Sequence, residues 1–314
     1  MEENKTYISI VVPTFNEEEN VGELYNQILP VVQSYNRPFE IIFVDDGSSD
    51  NTLEELKKLE YATIVEFRKN FGQTAALDAG IKIAQGELII AMDADLQNDP
   101  ADIPQLIKKL NEGFDVVSGW RKNRKDSFSK KFTSRGANFL RKRLINDGIH
   151  DSGCTLKVYK RKCFDKVDLY GEMHRFMPAL LKLKGYKIGE IVVNHRPRTA
   201  GVTKYSWHRT IKGLLDMISI WFWKKYANRP LHLFGTIGFF LLFVGFVSGV
   251  WALYLKIFLG NDLSDTMLTI LSMFCVLIGI QFFVFGLLAD ILSKNYFSTT
   301  KDTPYDIEKI IQNK

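Results

Sequence analysis

Through the first two thirds of the chain, short apolar runs alternate with longer stretches of helical period. Residues 7–12 (YISIVV), 39–44 (FEIIFV), 62–67 (ATIVEF) and 88–92 (LIIAM) have the length and composition of buried strands. Between them, 18–33, 52–60 and 74–85 read as helices, and Ser49 or Asp50 can cap the second. Further along, 103–111, 160–167 and 175–184 read as helices, and 114–118 and 187–193 as strands. This alternation has the spacing of βαβ units and predicts an α/β fold with a mainly parallel, Rossmann-like sheet. Right-handed crossovers gather the carboxyl ends of the strands on one edge, where ligands of open α/β sheets bind.

The pattern changes at Trp207. Trp207, Ile211, Leu214, Leu215, Ile218 and Phe222 recur at helical spacing, with His208, Arg209, Lys212 and Asp216 opposite. Residues 207–226 therefore predict an amphipathic helix, lying at a membrane interface or packed on the head. Two apolar stretches follow, 231–255 and 267–289, neither with a fully charged residue. Each is long enough to cross a hydrocarbon core of roughly 30 Å. The expected organisation is a catalytic head over 1–205, an interfacial helix over 206–230, a transmembrane hairpin over 231–292 and a tail over 293–314.

Composition adds orientation and compartment. The net charge is +5, with the excess concentrated. Lys224, Lys225 and Arg229 precede the first span and Lys294 and Lys301 follow the second, whereas the link between the spans carries Lys256, Asp262 and Asp265. Positive-inside counting places head and both termini in the cytoplasm. Residues 1–5 are polar and do not resemble a signal peptide. Cys154, Cys163 and Cys275 have neither metal nor disulfide spacing, which suits a reduced compartment.

The candidate chemistry sits at the strand ends. The run 88–92 stops at Asp93-Ala94-Asp95-Leu96-Gln97. In extended chain, alternate residues share a side, so Asp93, Asp95 and Gln97 can point their oxygens at one place. Hard divalent cations, Mg²⁺ or Mn²⁺, favour such oxygens and bind partly through substrate phosphates. A solvated acidic turn is the plain alternative. The other strand ends bring Asn16, Glu17, Asp45 and Asp46 to the same edge. No G-x-x-x-x-G-K-[ST] or G-x-G-x-x-G occurs, which disfavours a dinucleotide enzyme. A basic tract runs from Arg121 to Arg143 and contains a single acid, Asp126. With membrane spans nearby, anionic lipid heads or a phosphate explain it better than nucleic acid does. Residues 195–204 form a basic loop with the chemistry of a lid over phosphates.

Pro13-Thr14-Phe15-Asn16-Glu17, Val44-Asp45-Asp46-Gly47-Ser48-Ser49-Asp50, Asn70-Phe71-Gly72-Gln73 and Asp93-Ala94-Asp95-Leu96-Gln97 resemble the ordered motifs of family 2 glycosyltransferases with the GT-A fold. Gly119-Trp120-Arg121, Ser134-Arg135-Gly136-Ala137-Asn138 and Asp151-Ser152-Gly153-Cys154, with the hairpin, are similar to the polyprenyl-phosphate glycosyltransferases. The resemblance implies a nucleotide-sugar donor, UDP-glucose first and GDP-mannose or a UDP-amino sugar as alternatives. It also implies a divalent metal, a polyprenyl monophosphate acceptor and inverting transfer. Pro13, Phe15, Glu17, Val44 and Asp46 are then expected to hold the nucleoside. Asp93, Asp95 and Gln97 are expected at the metal, with Ala94 beside the donor. Arg121, Ser134 and Arg135 are expected at the acceptor phosphate, and Arg198 and Lys204 over the donor. Asp151 is a reserve base or acceptor-site residue. The Gln-x-x-Arg-Trp motif of processive synthases is missing, which argues against chain elongation. A homo-oligomer is left open, and a membrane scaffold with an inactive head is the reading outside this class.

Overall fold

The computed structural model describes residues 6–122, 148–165, 169, 173–197, 207–227, 229–260, 262–263 and 267–300. Its contacts divide the chain into two compact units, Met1–Ile218 and Ser219–Lys314.

The first unit is built on a seven-stranded sheet in the order β3-β2-β1-β4-β6-β5-β7. Its strands are β1 (Ile8–Thr14), β2 (Phe39–Asp45), β3 (Ala62–Glu66), β4 (Leu88–Ala91), β5 (Val116–Trp120), β6 (Lys157–Lys160) and β7 (Ile188–Val192). All neighbours are parallel except β6, which runs antiparallel to both β4 and β5. The expected mainly parallel sheet is therefore present. Strand β6 is an addition, because the sequence pattern predicts a helix over 160–167. A single 3₁₀ turn, Arg161–Phe164, occupies part of that stretch.

Helices α1 (Val21–Gln33), α2 (Thr52–Lys57), α3 (Gln73–Ile83), α4 (Ile103–Asn111) and α5 (Met177–Leu183) cover the faces. Two apolar clusters form the core. One joins α1 and α4 to a face of the sheet through Leu24, Ile28, Phe43, Ile90 and Leu106. The other joins α3 and α5 to the opposite face through Val11, Ile42, Leu77, Tyr159 and Leu181. Local chemistry sets the ends. Asp99 accepts from Ala101 N at 3.0 Å, and Pro100 opens the turn leading into α4. Helix α2 stops three residues short of the expected Glu60, and Tyr61 is in a left-handed conformation (φ 55°).

The amphipathic segment is helical over Trp207–Tyr226 (α6), as expected. In the second unit, α7 (Pro230–Leu259) and α8 (Met267–Thr300) run antiparallel, pairing Leu231 with Gly286, Gly238 with Gly279 and Gly245 with Ser272. A Cβ on Gly238 would lie 2.8 Å from Gly279 O, and one on Gly279 2.9 Å from Gly238 O. Glycine is what allows the backbones this close. Both helices are long and apolar enough to cross a membrane, and most of their apolar side chains face outward, Phe243 and Phe246 among them.

Candidate active site

The carboxyl ends of β1, β2 and β4 meet, with Thr14 beside Asp45 and Val11 beside Ala91. The loops after β1 and β2 are tied together. Asn16 is left-handed (φ 55°) and accepts from Ser49 N at 2.8 Å, while its own N–H donates to Ser48 Oγ at 2.9 Å. Glu17 N donates to Thr52 Oγ1 at 2.8 Å, and Asn20 Nδ2 donates to Glu17 Oε2 at 2.6 Å. Pro13 ends this first wall and Phe15 lies half-buried in its loop. Val44 is fully buried, and its carbonyl accepts from Thr14 Oγ1 at 3.1 Å. Only its backbone can face a ligand.

Asp46 is buried, and its carboxylate accepts from Phe71 N at 2.6 Å and Gly72 N at 2.9 Å. Burial raises its pKa against the opposing pull of these two amides. The residue thus anchors the 70–72 loop whatever else it touches. Gly47 (φ 68°) lets the β2 loop run against that same loop, since a Cβ there would lie 2.5 Å from Lys69 C.

Strand β4 ends at Ala91, and residues 94–96 form a bend in which Leu96 is left-handed (φ 58°). Extended alternation therefore does not set the directions of Asp93, Asp95 and Gln97; the bend does. Gln97 N turns back to Asp95 Oδ1 at 3.2 Å. Ala94 and Asp95 are buried. Gln73 Nε2 donates to Asp93 Oδ1 at 2.6 Å. Thr155 lies beside Asp93 and acts to lower its pKa, and is itself held by Asn98 Nδ2 at 2.8 Å. Asp93 keeps some surface, yet the surrounding protein removes enough water to push its pKa up to about 6, with the Asp95 charge adding to the shift.

Beyond this bend, β5 ends at Trp120 and Arg121. Arg121 donates to Asp151 through Nε at 2.7 Å and Nη2 at 3.0 Å, a two-pronged pair with little exposure. The backbone N–H groups of Arg121 and Gly153 add to the same carboxylate at 3.3 and 3.1 Å. Glu190 on β7 fixes the turn, accepting from His150 N at 2.8 Å and Asp151 N at 3.1 Å. The His150 ring stacks on Trp120 at 4.4 Å. Arg121, expected at the acceptor phosphate, and Asp151, expected as a reserve base or acceptor-site residue, thus form one unit within electrostatic reach of Asp93.

Residues 195–197 leave β7 beside the bend. His195 bridges to Asn98, Arg196 N donates to Gln97 O at 2.9 Å, and the Arg196 side chain pairs with Asp99 at 2.7 Å. Ser134, Arg135, Arg198 and Lys204 lie outside the described residues, as does nearly all of the basic tract. Sequence reasoning passed over three site residues. Gln73 lay inside a quoted motif without a role, Thr155 in a polar loop, and Lys157 in a strand that was not expected. Lys157 is buried, and burial pulls its pKa down to about 8.

A doubly covered α/β sheet with paired carboxylates at its carboxyl edge defines a GT-A transferase head. Residues 9–168 match the model for glycosyl transferase family 2, and residues 229–294 match the GtrB C-terminal hairpin. The dodecaprenyl-phosphate galacturonate synthase of Rhizobium johnstonii is 40% identical over 96% of this chain and 92% of its own length. The undecaprenyl-phosphate 4-deoxy-4-formamido-L-arabinose transferase of Salmonella choleraesuis is 32% identical over 97% and 93%. The chain belongs to glycosyl transferase family 2 and, within it, to the polyprenyl-phosphate glycosyltransferases. Among solved structures, the glucosyl-3-phosphoglycerate synthase of Mycobacterium tuberculosis, in complex with Mn²⁺ and uridine-diphosphate-glucose, aligns with a TM-score of 0.54 at 18% identity, over 70% of this chain and 79% of that one. The mannosyl-3-phosphoglycerate synthase of Rubrobacter xylanophilus aligns with a TM-score of 0.55 at 17% identity, over 68% and 73%. At these identities the two structures establish the fold. The protein is an enzyme and an integral membrane protein.

Proposed function

We propose that the protein moves a sugar from a uridine-diphosphate donor to a polyprenyl monophosphate at the cytoplasmic face of the membrane, inverting the anomeric carbon. The observation that carries this reading is the pairing of an oxygen-only site, Asp93 and Asp95, with the Arg121–Asp151 unit beside it. The first suits a donor diphosphate held through a metal, and the second a phosphate acceptor.

The residues fit a divalent cation. Two carboxylates crowd together, and one resists ionising because water has been withdrawn and its neighbour is charged. A divalent cation relieves both effects, and oxygen donors select Mg²⁺ or Mn²⁺. Among the described residues no three His, Cys, Asp or Glu side chains form a cage. Asp93, Asp95 and Gln97 would therefore hold the metal together with donor phosphates. When bound, it supplies charge to the departing diphosphate.

The chain's own groups do the rest. The nucleoside lies along Pro13, Phe15, Glu17, the Val44 backbone and the Asp46 loop, with Ala94 under the donor. Arg198 and Lys204, which follow Arg196 in the sequence, close on the diphosphate. Two guanidinium N–H edges remain on Arg121 after Asp151 has taken its share. With Ser134 and Arg135 they orient the acceptor oxygen. A phosphate monoester with a second pKa near 6 is largely dianionic at neutral pH, so positioning matters more than a general base. For the sugar, the resemblance favours glucose, but the relatives are named for galacturonate and a formamido-arabinose. Acidic and amino sugars therefore lead.

Radiolabelled nucleotide sugars offered to the protein in membranes with polyprenyl phosphate test this. One of them should deliver label to the lipid in a metal-dependent, single-sugar product. Label that stays in the aqueous phase with every donor refutes the reading.

A further inference from the structure

A narrow cleft opens beneath the Asp93 carboxylate. Gln73, Asp93, Thr155, Lys157, Tyr159 and His174 supply its polar lining. Two of these groups have no use in the reading above. Lys157 is 2% exposed, and its ammonium donates to Ser152 O at 3.5 Å, the outer limit of a hydrogen bond. Among the described residues it forms no ion pair, and Asp151 and Asp93 act on it only from beyond contact distance. Tyr159 is wholly buried, and its hydroxyl has no hydrogen-bond partner among them.

Burying a hydroxyl without a partner is costly, and burying an ammonium without one is more so. Both groups can donate: the ammonium has three N–H bonds and the phenol one O–H. Their complement is a group rich in acceptors and negatively charged. A second cation is unsuited to a pocket that already holds Lys157. Asp93 and Gln73 are already joined to each other, and His174 Nδ1 is in contact with Thr74 Oγ1 at 2.7 Å. Among the described residues this leaves the Tyr159 hydroxyl without an acceptor and the Lys157 ammonium with a single long hydrogen bond.

The position of the cleft identifies what can reach it. Asp93 forms part of its wall and stands two residues from Asp95. A donor whose diphosphate is held at these carboxylates brings its sugar, the next group along, to the mouth of the cleft.

We propose that Lys157 and Tyr159 read a carboxylate on the donor's sugar, so that the substrate is a nucleotide-linked uronic acid. This rests on the donor site proposed above and sharpens it. The unpartnered Tyr159 hydroxyl and the weakly held Lys157 ammonium carry it, and the relative named for galacturonate agrees with it.

The test uses the full chain in detergent with Mn²⁺ and polyprenyl phosphate. UDP-galacturonate and UDP-glucuronate are compared with UDP-galactose and UDP-glucose by kcat/KM. The wild type should favour a uronate over the matching neutral sugar by about 10- to 100-fold, the range expected for one charge-assisted contact. Lys157→Met should bring that ratio near one, and Tyr159→Phe should lower it several-fold. Calorimetric binding of UDP with Mn²⁺ checks that the variants keep the nucleotide site. A neutral sugar used as well as the uronate by the wild type overturns the proposal. So does a Lys157→Met variant that loses both donors in equal proportion, because Lys157 then only supports Asp93. If every nucleotide sugar fails, the donor reading and this one fall together; if only neutral sugars work, this one falls alone.

Discussion

Removing the Asp151 carboxylate should expose how much the acceptor side of the site depends on one buried pair. Asp151→Ala takes away the acceptor of four N–H groups, two of them on the Arg121 guanidinium. The paired side chains are 10% and 16% exposed, so solvent can screen little of the charge left behind. Breaking a buried pair from one side costs about 3–5 kcal/mol. At about 2–4 °C per kcal/mol for a domain of this size, the melting temperature should fall by roughly 6–20 °C. Scans at one rate on detergent-solubilised protein would show it. Arg121→Met combined with Asp151→Leu should recover much of the loss, since replacing both charges by apolar volume is often neutral. In the transfer assay, run well below the lowered transition, Asp151→Ala should slow transfer by about 10- to 150-fold, the loss of one oriented charge-assisted contact. Binding of the nucleotide sugar should persist. A shift under about 2 °C, or a double variant as unstable as the two single changes summed, would refute the view that the pair is a buried, mutually dependent unit.

Asp95→Asn should abolish transfer while leaving the melting temperature nearly unchanged, and full turnover of that variant in EDTA would remove the metal from the mechanism. Because the Asp93 pKa is raised to about 6, protons should compete with the cation from pH 6 downward, so metal-dependent donor binding should weaken there by calorimetry; binding unchanged down to pH 4.5 contradicts this. A cysteine introduced between residues 261 and 264 should be labelled only from outside sealed cells and one at residue 298 only from inside, and the reverse pattern would invert the proposed orientation. The native thiols should not interfere in the head: burial pushes Cys154 up to about 11 and Cys163 up to about 12, so alkylation of the folded protein at pH 8 should leave both unmodified by mass spectrometry.

The parallel half of the sheet was legible because its strands are uninterrupted apolar runs with acids at their ends. Residues 88–92 followed by Asp93 and Asp95 announce both the strand and the site. Strand β6 was hidden by Lys157 near its start and by the polar loop before it. A lysine in a short apolar run looks like an ending, and only the pairing with β4 and β5 shows that it is interior. The pairing of Arg121 with Asp151 was equally hidden, since thirty residues separate them and spacing carries no trace of the contact. The bend at Leu96 shows a different limit. Alternation predicts that Asp93, Asp95 and Gln97 share one side, but a left-handed residue that composition does not advertise, Leu96, sets their geometry.

Strands β5 and β6 are hydrogen-bonded neighbours, with Ser118 opposite Lys157. The long stretch between them therefore departs from the sheet and returns to it at adjacent points. Its two roots are fixed by neighbouring strands, and closing a longer or shorter connection between fixed roots changes the free energy only slowly with length. At its described ends this stretch carries Arg121 and Asp151, paired with each other and within electrostatic reach of Asp93. On the two proposals above, a change of lipid acceptor maps to this stretch and a change of sugar to residues of β6.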